Sequence, residues 1–462
     1  MERTIVLMEN KVYLKRDIYE QFISWKGKHN HKTLEVSGAR QVGKTYLVNK
    51  FADEEYTQKI YVNLLEFSGE LFLSIYQNLL AEMKSGEQKI GNPICELIKR
   101  YFSDFVDSPE TVVIIDEIQE SADIYNRIRE FTRNMECDFI ITGSYLGRIL
   151  DKNFKYSAGD IDSLEVSTLS FPEFLDATGN YSRYHELDLY GRSEESVYDE
   201  LTNLYQIYCE IGGYPNVVLK YLENKSFQEC QAELINIIQL FTNESKRYFD
   251  DILDAAVYDN IFCSVARVLA KEKKGLEQSS YSEELQKLVV QDYSSNIPKV
   301  TINRAIDWLY SSGIIGFAGK VIECNILNFK SKSRCYFMDV GLATYFLTKI
   351  GMKKEERKGI ISENFIYINL KKRLNRVGEI ALETPAFATY GVNEIDFFVR
   401  AIINEKTYVI EVKSGKSSNK IMRTLLDKQK VDRVLYAKGN TKGGIDGDMY
   451  TIPIYGIEKF EF

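Results

Sequence analysis

Gly38-Ala39-Arg40-Gln41-Val42-Gly43-Lys44-Thr45 is the stretch from which the rest of this chain can be read. It fits the spacing G-x-x-x-x-G-K-[ST], and each part has a chemical reason. Gly38 and Gly43 let the loop curl, so that the backbone N–H groups along Ala39, Arg40, Gln41 and Val42 converge on phosphates. Lys44 puts an ammonium on the β- and γ-phosphates. Thr45 offers a hydroxyl to Mg²⁺ and starts a helix whose positive end faces the anion. The flanks agree: Leu34-Glu35-Val36 reads as a strand before the loop, and Tyr46-Leu47-Val48 opens a helix after it.

A second signal lies downstream. Val112-Val113-Ile114-Ile115-Asp116-Glu117 is an apolar run ending in two acids. Asp116 is placed to hold the metal through water and Glu117 to orient or deprotonate an attacking water; the plainer reading is a cap on the following helix. The next β-rich run, Asp138 to Thr142, ends in Gly143-Ser144, which makes Thr142 and Ser144 candidates for sensing the terminal phosphate, or simply a turn. Arg148 is a candidate phosphate contact or a solvated surface arginine.

The 462 residues suggest about three domains, with 44% apolar and 27% charged residues in the ordinary globular range. That composition excludes a collagen, a coiled-coil rod and a disordered tail. No run of about 18 apolar residues occurs, so no membrane span is expected, and the charged N-terminus does not read as a secretory signal. Seven Cys without a C-x-x-C, and three His, argue against zinc and for reduced thiols in a cytoplasmic protein. Charge is uneven. From Gly351 onward there are 20 Lys+Arg against 15 Asp+Glu, a net of +5, which leaves 39 against 52, or −13, for the first 350 residues. A basic end on an acidic body suits a nucleic-acid-facing segment or is ordinary fluctuation.

The fold class read from these patterns is α/β. A P-loop NTPase parallel sheet comes first, then a helical region and winged helix, then a small α/β restriction-endonuclease-like domain. In the first part, strands are expected at Thr33–Ser37, Lys59–Leu64, Thr111–Ile115, Asp138–Thr142 and Leu164–Leu169, with helices such as Leu71–Lys84 and Ile124–Asn134 between them. Leu187 to Ala270 is mostly helical by period. Tyr281–Val290 and Val300–Tyr310 then read as two helices around a polar turn at Tyr293–Pro298. A hairpin over Ile314–Phe317 and Lys320–Cys324, turning at Ala318-Gly319, completes the order of a winged helix that shows Lys299, Asn303 and Arg304 on one face. Past Gly351 come a helix at Ile361–Leu374, strands at Ile380–Thr384, Glu394–Arg400 and Thr407–Val412, a helix near Ile421–Leu426, and strands at Arg433–Ala437 and Met449–Ile454. The expected division is 1–178, 179–255, 256–350 and 351–462.

The last part carries its own constellation. Asp396, Glu411 and Lys413 form D-x₁₄-E-x-K, with Glu411 and Lys413 on one face of a strand. A short turn at Asn404-Glu405 brings Asp396 beside them, and Glu363 on the preceding helix adds a third carboxylate. Two carboxylates can bind Mg²⁺ and a lysine can help activate water for attack on a phosphodiester. Strands ending in charged residues are also common on plain surfaces.

Taken with Asp116-Glu117-Ile118-Gln119, Ile141-Thr142-Gly143-Ser144, Leu169-Ser170-Phe171-Pro172-Glu173-Phe174-Leu175, Gly212-Gly213-Tyr214-Pro215 and Tyr336-Phe337-Met338-Asp339-Val340-Gly341-Leu342, these motifs give the chain a family likeness. It resembles the prokaryotic AAA+-superfamily ATPases that carry a C-terminal domain of unknown function related to PD-(D/E)XK nucleases. The resemblance implies ATP and Mg²⁺ binding, slow hydrolysis, a winged helix and a nuclease-like C-terminal fold. Ser157-Ala158-Gly159-Asp160 stands where that family commonly has Ala-Gly-Arg. Three outputs follow as expectations: ATP hydrolysis that moves a winged helix and a nuclease-like region acting on DNA or another nucleic acid; an ATP-dependent switch that binds a protein partner through a catalytically inactive nuclease-like fold; or, with the full acid set, a nuclease merely regulated by ATP.

Overall fold

In the computed structural model, strand β1 (Thr33–Ser37), an interior strand of a five-stranded sheet, delivers the chain into the glycine loop. The described residues are 13–28, 32–86, 90–143, 153–155, 159–249, 255–272, 299–328, 334–374, 379–382, 384–415 and 420–462. They fall into two compact units. One is Arg16–Ser167 with Ser311–Gly313, and the other is the remainder of the chain.

In the first unit, β2 (Gln58–Asn63), β3 (Thr111–Asp116), β4 (Asp138–Thr142), β1 and β5 (Ile161–Glu165) lie side by side in that order, all parallel. β3 is buried at every residue, as its unbroken apolar run requires of a strand covered on both faces. One core gathers Val62, Phe72, Leu79, Ile98, Val113, Ile115, Phe139 and Ile141 between the sheet and the helices Phe67–Ser85 and Pro93–Tyr101. The expected strand at Leu164–Leu169 is displaced: the chain pairs with β1 over Ile161–Glu165. β5 is an edge strand with mostly part-exposed residues. The apolar residues that suggested a strand, Val166 and Leu169, are buried in the segment leaving the sheet.

The second unit holds long helices, among them Glu195–Ile211, Phe227–Phe249, Ala255–Glu272 and Lys354–Leu374, and a nine-stranded mixed sheet. Its strands are β6 (Ile315–Ile322), β7 (Ile326–Asn328), β8 (Arg334–Phe337), β9 (Ala386–Tyr390), β10 (Asn393–Arg400), β11 (Thr407–Lys413), β12 (Arg433–Lys438), β13 (Gly444–Asp446) and β14 (Met449–Pro453). The order is β13-β14-β12-β11-β10-β9-β6-β7, with β8 on β6. β9, β10 and β11 are antiparallel; β11, β12 and β14 run parallel.

Two sequence expectations are corrected here. Ala318-Gly319 is not a turn but the middle of β6, where the strand changes partners: Ile315 to Ala318 pair with β8, and Gly319 to Ile322 with β9. The turn comes at Glu323 and Cys324, both with positive φ. Among the described residues of Ile380–Thr384 there is no strand; Ile380 makes an isolated bridge to Ala401, and Pro385, which has no N–H for a ladder, precedes β9. The second helix of the expected winged helix is present as Lys299–Ser311. Its first helix, Tyr281–Val290, and the turn Tyr293–Pro298 lie outside the described residues.

Three of the sequence motifs meet in one buried knot. Asp339 caps the helix Val340–Lys349, its Oδ1 accepting from the N–H groups of Gly341 (2.8 Å) and Leu342 (3.2 Å). Its Oδ2 accepts from the N–H of Gly213 at 2.8 Å. Gly213 O in turn accepts from Leu169 N at 2.7 Å, and the Tyr208 hydroxyl donates to Leu169 O at 2.6 Å. Burial raises the pKa of the Asp339 carboxyl above the usual range, and these donors pull it back. Ser170 and Glu173 close a reciprocal cap on the next helix, Phe171–Ala177. These motifs therefore hold the unit together.

Candidate functional site

The glycine loop curls as its sequence requires. Gly43 sits at φ 93° and is the N-cap of the helix Lys44–Glu55, where it supplies no side-chain cap, and the first turn holds no acid. The first N–H groups of that helix therefore lack a side-chain cap, a geometry made for an anion. Gly38 is pressed against the segment after β5; a Cβ there would stand 2.1 Å from Val166 O. Lys44 lies folded along the loop, its Nζ donating to Gly38 O at 2.9 Å and Ala39 O at 2.8 Å.

The acids from β3 close the site. The Thr45 hydroxyl donates to Asp116 Oδ2 at 2.8 Å, joining the start of a helix to the end of a strand 71 residues away. Asp116, 3% exposed, also receives the Tyr61 hydroxyl on Oδ2 at 2.8 Å and the Glu117 N–H on Oδ1 at 2.9 Å. Tyr61, from the neighbouring β2, is a site residue that sequence reading missed; nothing in a lone Tyr marks it before the sheet order is known. Burial first, then the Asp116 charge, raise its hydroxyl pKa far above the ordinary value, so it stays a donor. Glu117 stands in left-handed backbone (φ 55°) with its carboxylate held by the Gln119 amide. Gly143 lies so close that a Cβ would meet Gln119 Oε1 at 2.3 Å. At the end of β4, the buried Thr142 hydroxyl has no hydrogen-bond partner among the described residues. Ser144 and Arg148 lie outside the described residues.

This set fits a magnesium nucleotide. A hydroxyl and a carboxylate oxygen already share one spot, an ammonium lies along the loop, a helix begins there with a glycine N-cap, and a buried hydroxyl with no partner among the described residues ends the central strand β4. Arg40 and Gln41 belong to the loop, Gln41 at φ 63°.

The second unit brings together its own four residues. The pairing of Phe397 with Ile410 sets Asp396 next to Glu411, and Asp396 Oδ2 accepts the Val412 N–H at 2.7 Å. The register against β9 shifts between Ile395 and Phe398, a stretch that contains Asp396 and Phe397. Burial first, then the charges of Glu363 and Glu411, push the Asp396 carboxyl pKa up to about 7. Glu411, 3% exposed, is ion-paired with Lys413. Glu363 arrives from the helix Lys354–Leu374; its Oε1 accepts from Arg334 Nη1 at 3.2 Å and from the Tyr336 hydroxyl at 2.8 Å. Arg334, 6% exposed, also pairs with Glu394 and lies over the Phe387 ring at 4.4 Å. It too was missed, because its distance in sequence from the acids hides the contact. Among the described residues, no group of three or more His, Cys, Asp or Glu is arranged to hold a metal.

Comparison with known proteins places a class on the first unit. Residues 30–175 match the family model of the AAA domain, and residues 202–354 match a domain of unknown function, DUF8612. The first unit is thus similar to the AAA domain, and its parallel sheet and loop give it the α/β P-loop NTPase fold. The second match ends before Glu363, so the four-residue cluster lies beyond it. No curated protein matches the chain. Similar solved structures include the Orc1 protein of Aeropyrum pernix in complex with DNA, at 12% identity and TM-score 0.28, over 68% of this chain and 88% of that one. The RuvB Holliday junction branch migration motor of Thermotoga maritima gives 12% identity and TM-score 0.31, over 66% and 90%. Cdc6p from Pyrobaculum aerophilum gives 9% and 0.24, over 74% and 96%. Among the described residues no helix is long and apolar enough to cross a membrane.

Proposed function

We propose that the protein binds ATP with Mg²⁺ in the loop Gly38–Thr45 and hydrolyses it. The observation that carries this reading is the 2.8 Å contact between Thr45 Oγ1 and Asp116 Oδ2, which joins the two elements a magnesium nucleotide needs. Bound Mg·ATP supplies the phosphoryl group and neutralises its charge. The chain's own residues do the rest. Lys44 leaves the carbonyls of Gly38 and Ala39 for the phosphates, Thr45 and Asp116 hold the metal, and Glu117, oriented by Gln119, takes the proton of the attacking water. Thr142 has the free hydroxyl to sense the terminal phosphate. The test is phosphate release with and without Mg²⁺, alongside nucleotide binding. Binding without turnover in wild type would remove hydrolysis from the reading, and absence of binding would remove all of it.

In this reading the nucleotide state governs a winged-helix region around Lys299–Ser311 and a nuclease-type fold from Gly351 onward, acting on DNA or another nucleic acid. Support comes from the order helix, β9-β10-β11 meander, helix Lys420–Asp427 and parallel β12, and from the convergence of Glu363, Asp396, Glu411 and Lys413. Exposed Arg304 and the basic C-terminal composition suit a phosphate backbone.

A second reading is favoured by a separate observation: Lys413 already pairs Glu411, and Arg334 with Tyr336 already hold Glu363. A cluster neutralised by its own cations suits an adaptor that binds a protein partner without cleaving. Mg²⁺- or Mn²⁺-dependent cleavage of single- and double-stranded DNA and RNA, with and without ATP, separates the two. Metal-dependent products that vanish in Glu411→Gln support the nuclease; their absence supports the adaptor.

A further inference from the structure

The phosphate-binding loop is braced from outside by a residue that no motif contains. Arg16, just before the helix Tyr19–Lys26, is only 4% exposed. Its Nη1 donates to Val42 O at 3.0 Å, and its Nη2 donates to Ser167 O. One guanidinium fork thus ties the loop to the segment that leaves the sheet after β5. The same segment already touches the loop's entry, since Val166 N donates to Ser37 O at 2.9 Å and Val166 O crowds Gly38.

The peptide that Arg16 holds is the one that matters for an anion. A trans peptide is planar, with its C=O and N–H pointing in opposite directions. Pinning Val42 O toward Arg16 therefore aims the Gly43 N–H the other way, toward the inside of the loop. Gly43 has no Cβ to resist a flip of that peptide, and it occupies left-handed backbone at φ 93°. An external anchor is what fixes the orientation. Arginine suits the task because its planar fork sets two separate nitrogens at fixed directions, one on each carbonyl; a lysine offers its three N–H donors from a single atom.

We infer that Arg16 is a positioning residue for nucleotide binding, which sets the Gly43 N–H toward the phosphates by holding Val42 O and Ser167 O. The inference rests on the ATP-binding reading, and the test keeps the two apart. Wild-type protein, Arg16→Lys and Arg16→Ala are compared by calorimetric titration with Mg·ATP and with adenosine, with thermal melting of each unliganded protein. Wild type is expected to bind Mg·ATP. Arg16→Lys is expected to melt near wild type but to bind Mg·ATP about tenfold more weakly, the effect of one lost charge-assisted hydrogen bond. Arg16→Ala is expected to lose more, and adenosine, which has no phosphate, is expected to respond equally in all three. A folded Arg16→Lys with wild-type Mg·ATP affinity would overturn the inference, even if Arg16→Ala does not fold. An equal loss for adenosine would overturn it too, by showing a general structural defect. Absence of Mg·ATP binding in wild type would instead overturn the nucleotide reading beneath it.

Discussion

Two acid sites in this molecule use the same residue types and end in opposite states. At Asp116 the carboxylate accepts from neutral donors among the described residues, the Thr45 and Tyr61 hydroxyls and the Glu117 backbone, beside a helix whose N-cap Gly43 supplies no side-chain cap. At Glu363, Asp396 and Glu411, two of the three carboxylates are met by cations of the protein, and the third has its pKa raised. Neutral donors fix a carboxylate in place and leave its charge for a cation; an ammonium or guanidinium consumes that charge. The difference shows that a cluster of acids is not by itself a metal site. What surrounds the acids decides.

The comparison can be broken most directly at Glu117. Glu117→Gln keeps the shape and the Gln119 contact but removes the base, and steady-state kinetics should show turnover falling by about 10²- to 10⁴-fold with ATP affinity retained. Unchanged turnover would place the chemistry elsewhere. Lys44→Ala takes away the ammonium that lies along the loop, and titration should show Mg·ATP affinity falling by roughly 10²-fold.

A third carboxylate sharpens the contrast. Asp339 is satisfied by backbone N–H groups and caps a helix in the buried knot, so its loss should be felt in stability. Asp339→Ala should cost about 2–4 kcal/mol in denaturant unfolding, because the N–H groups of Gly213, Gly341 and Leu342 are left buried without an acceptor.

The smallest effect is expected at Asp396. Its pKa of about 7 in the folded protein lies above the unfolded value near 4. Between those values the folded state holds more protons, so the stability this group contributes is full below about pH 4 and is lost as pH rises through about 7. Asp396→Asn, whose amide oxygen can still accept from Val412, should melt like wild type near pH 4 and gain about 1–2 kcal/mol near pH 8. A flat difference across that range would show that the carboxyl is ionised throughout.

How much of this was legible in the sequence depended on the distance between partners. The loop Gly38–Thr45 and the strand ending at Asp116 were readable because each motif is contiguous and its chemistry fixes its spacing. The convergence of Asp396 with Glu411 was readable because a short hairpin joins their strands. Tyr61, Arg16 and Arg334 were not, since each reaches its partner across the fold with no local signature. The strand errors have local causes: Val166 and Leu169 are apolar for burial in a connection, Gly319 sits where a strand changes neighbours, and Pro385 delays β9.

The continuous course of β6 bears on any attempt to cut this protein into pieces. Its second half, Gly319 to Ile322, pairs with β9 on one side and β7 on the other, and β9 lies on the far side of the long helix Lys354–Leu374. A recombinant fragment that stops near residue 354, where the DUF8612 match ends, would expose the β9-facing edge of β6, with Phe317, Ala318 and Val321 nearby in the strand. Such an edge invites pairing with another copy. Expression of that fragment should therefore give aggregates or larger oligomers than the whole chain, and a fragment extended through β14, which restores β9 and carries the sheet out to β13, should elute like the whole chain in gel filtration.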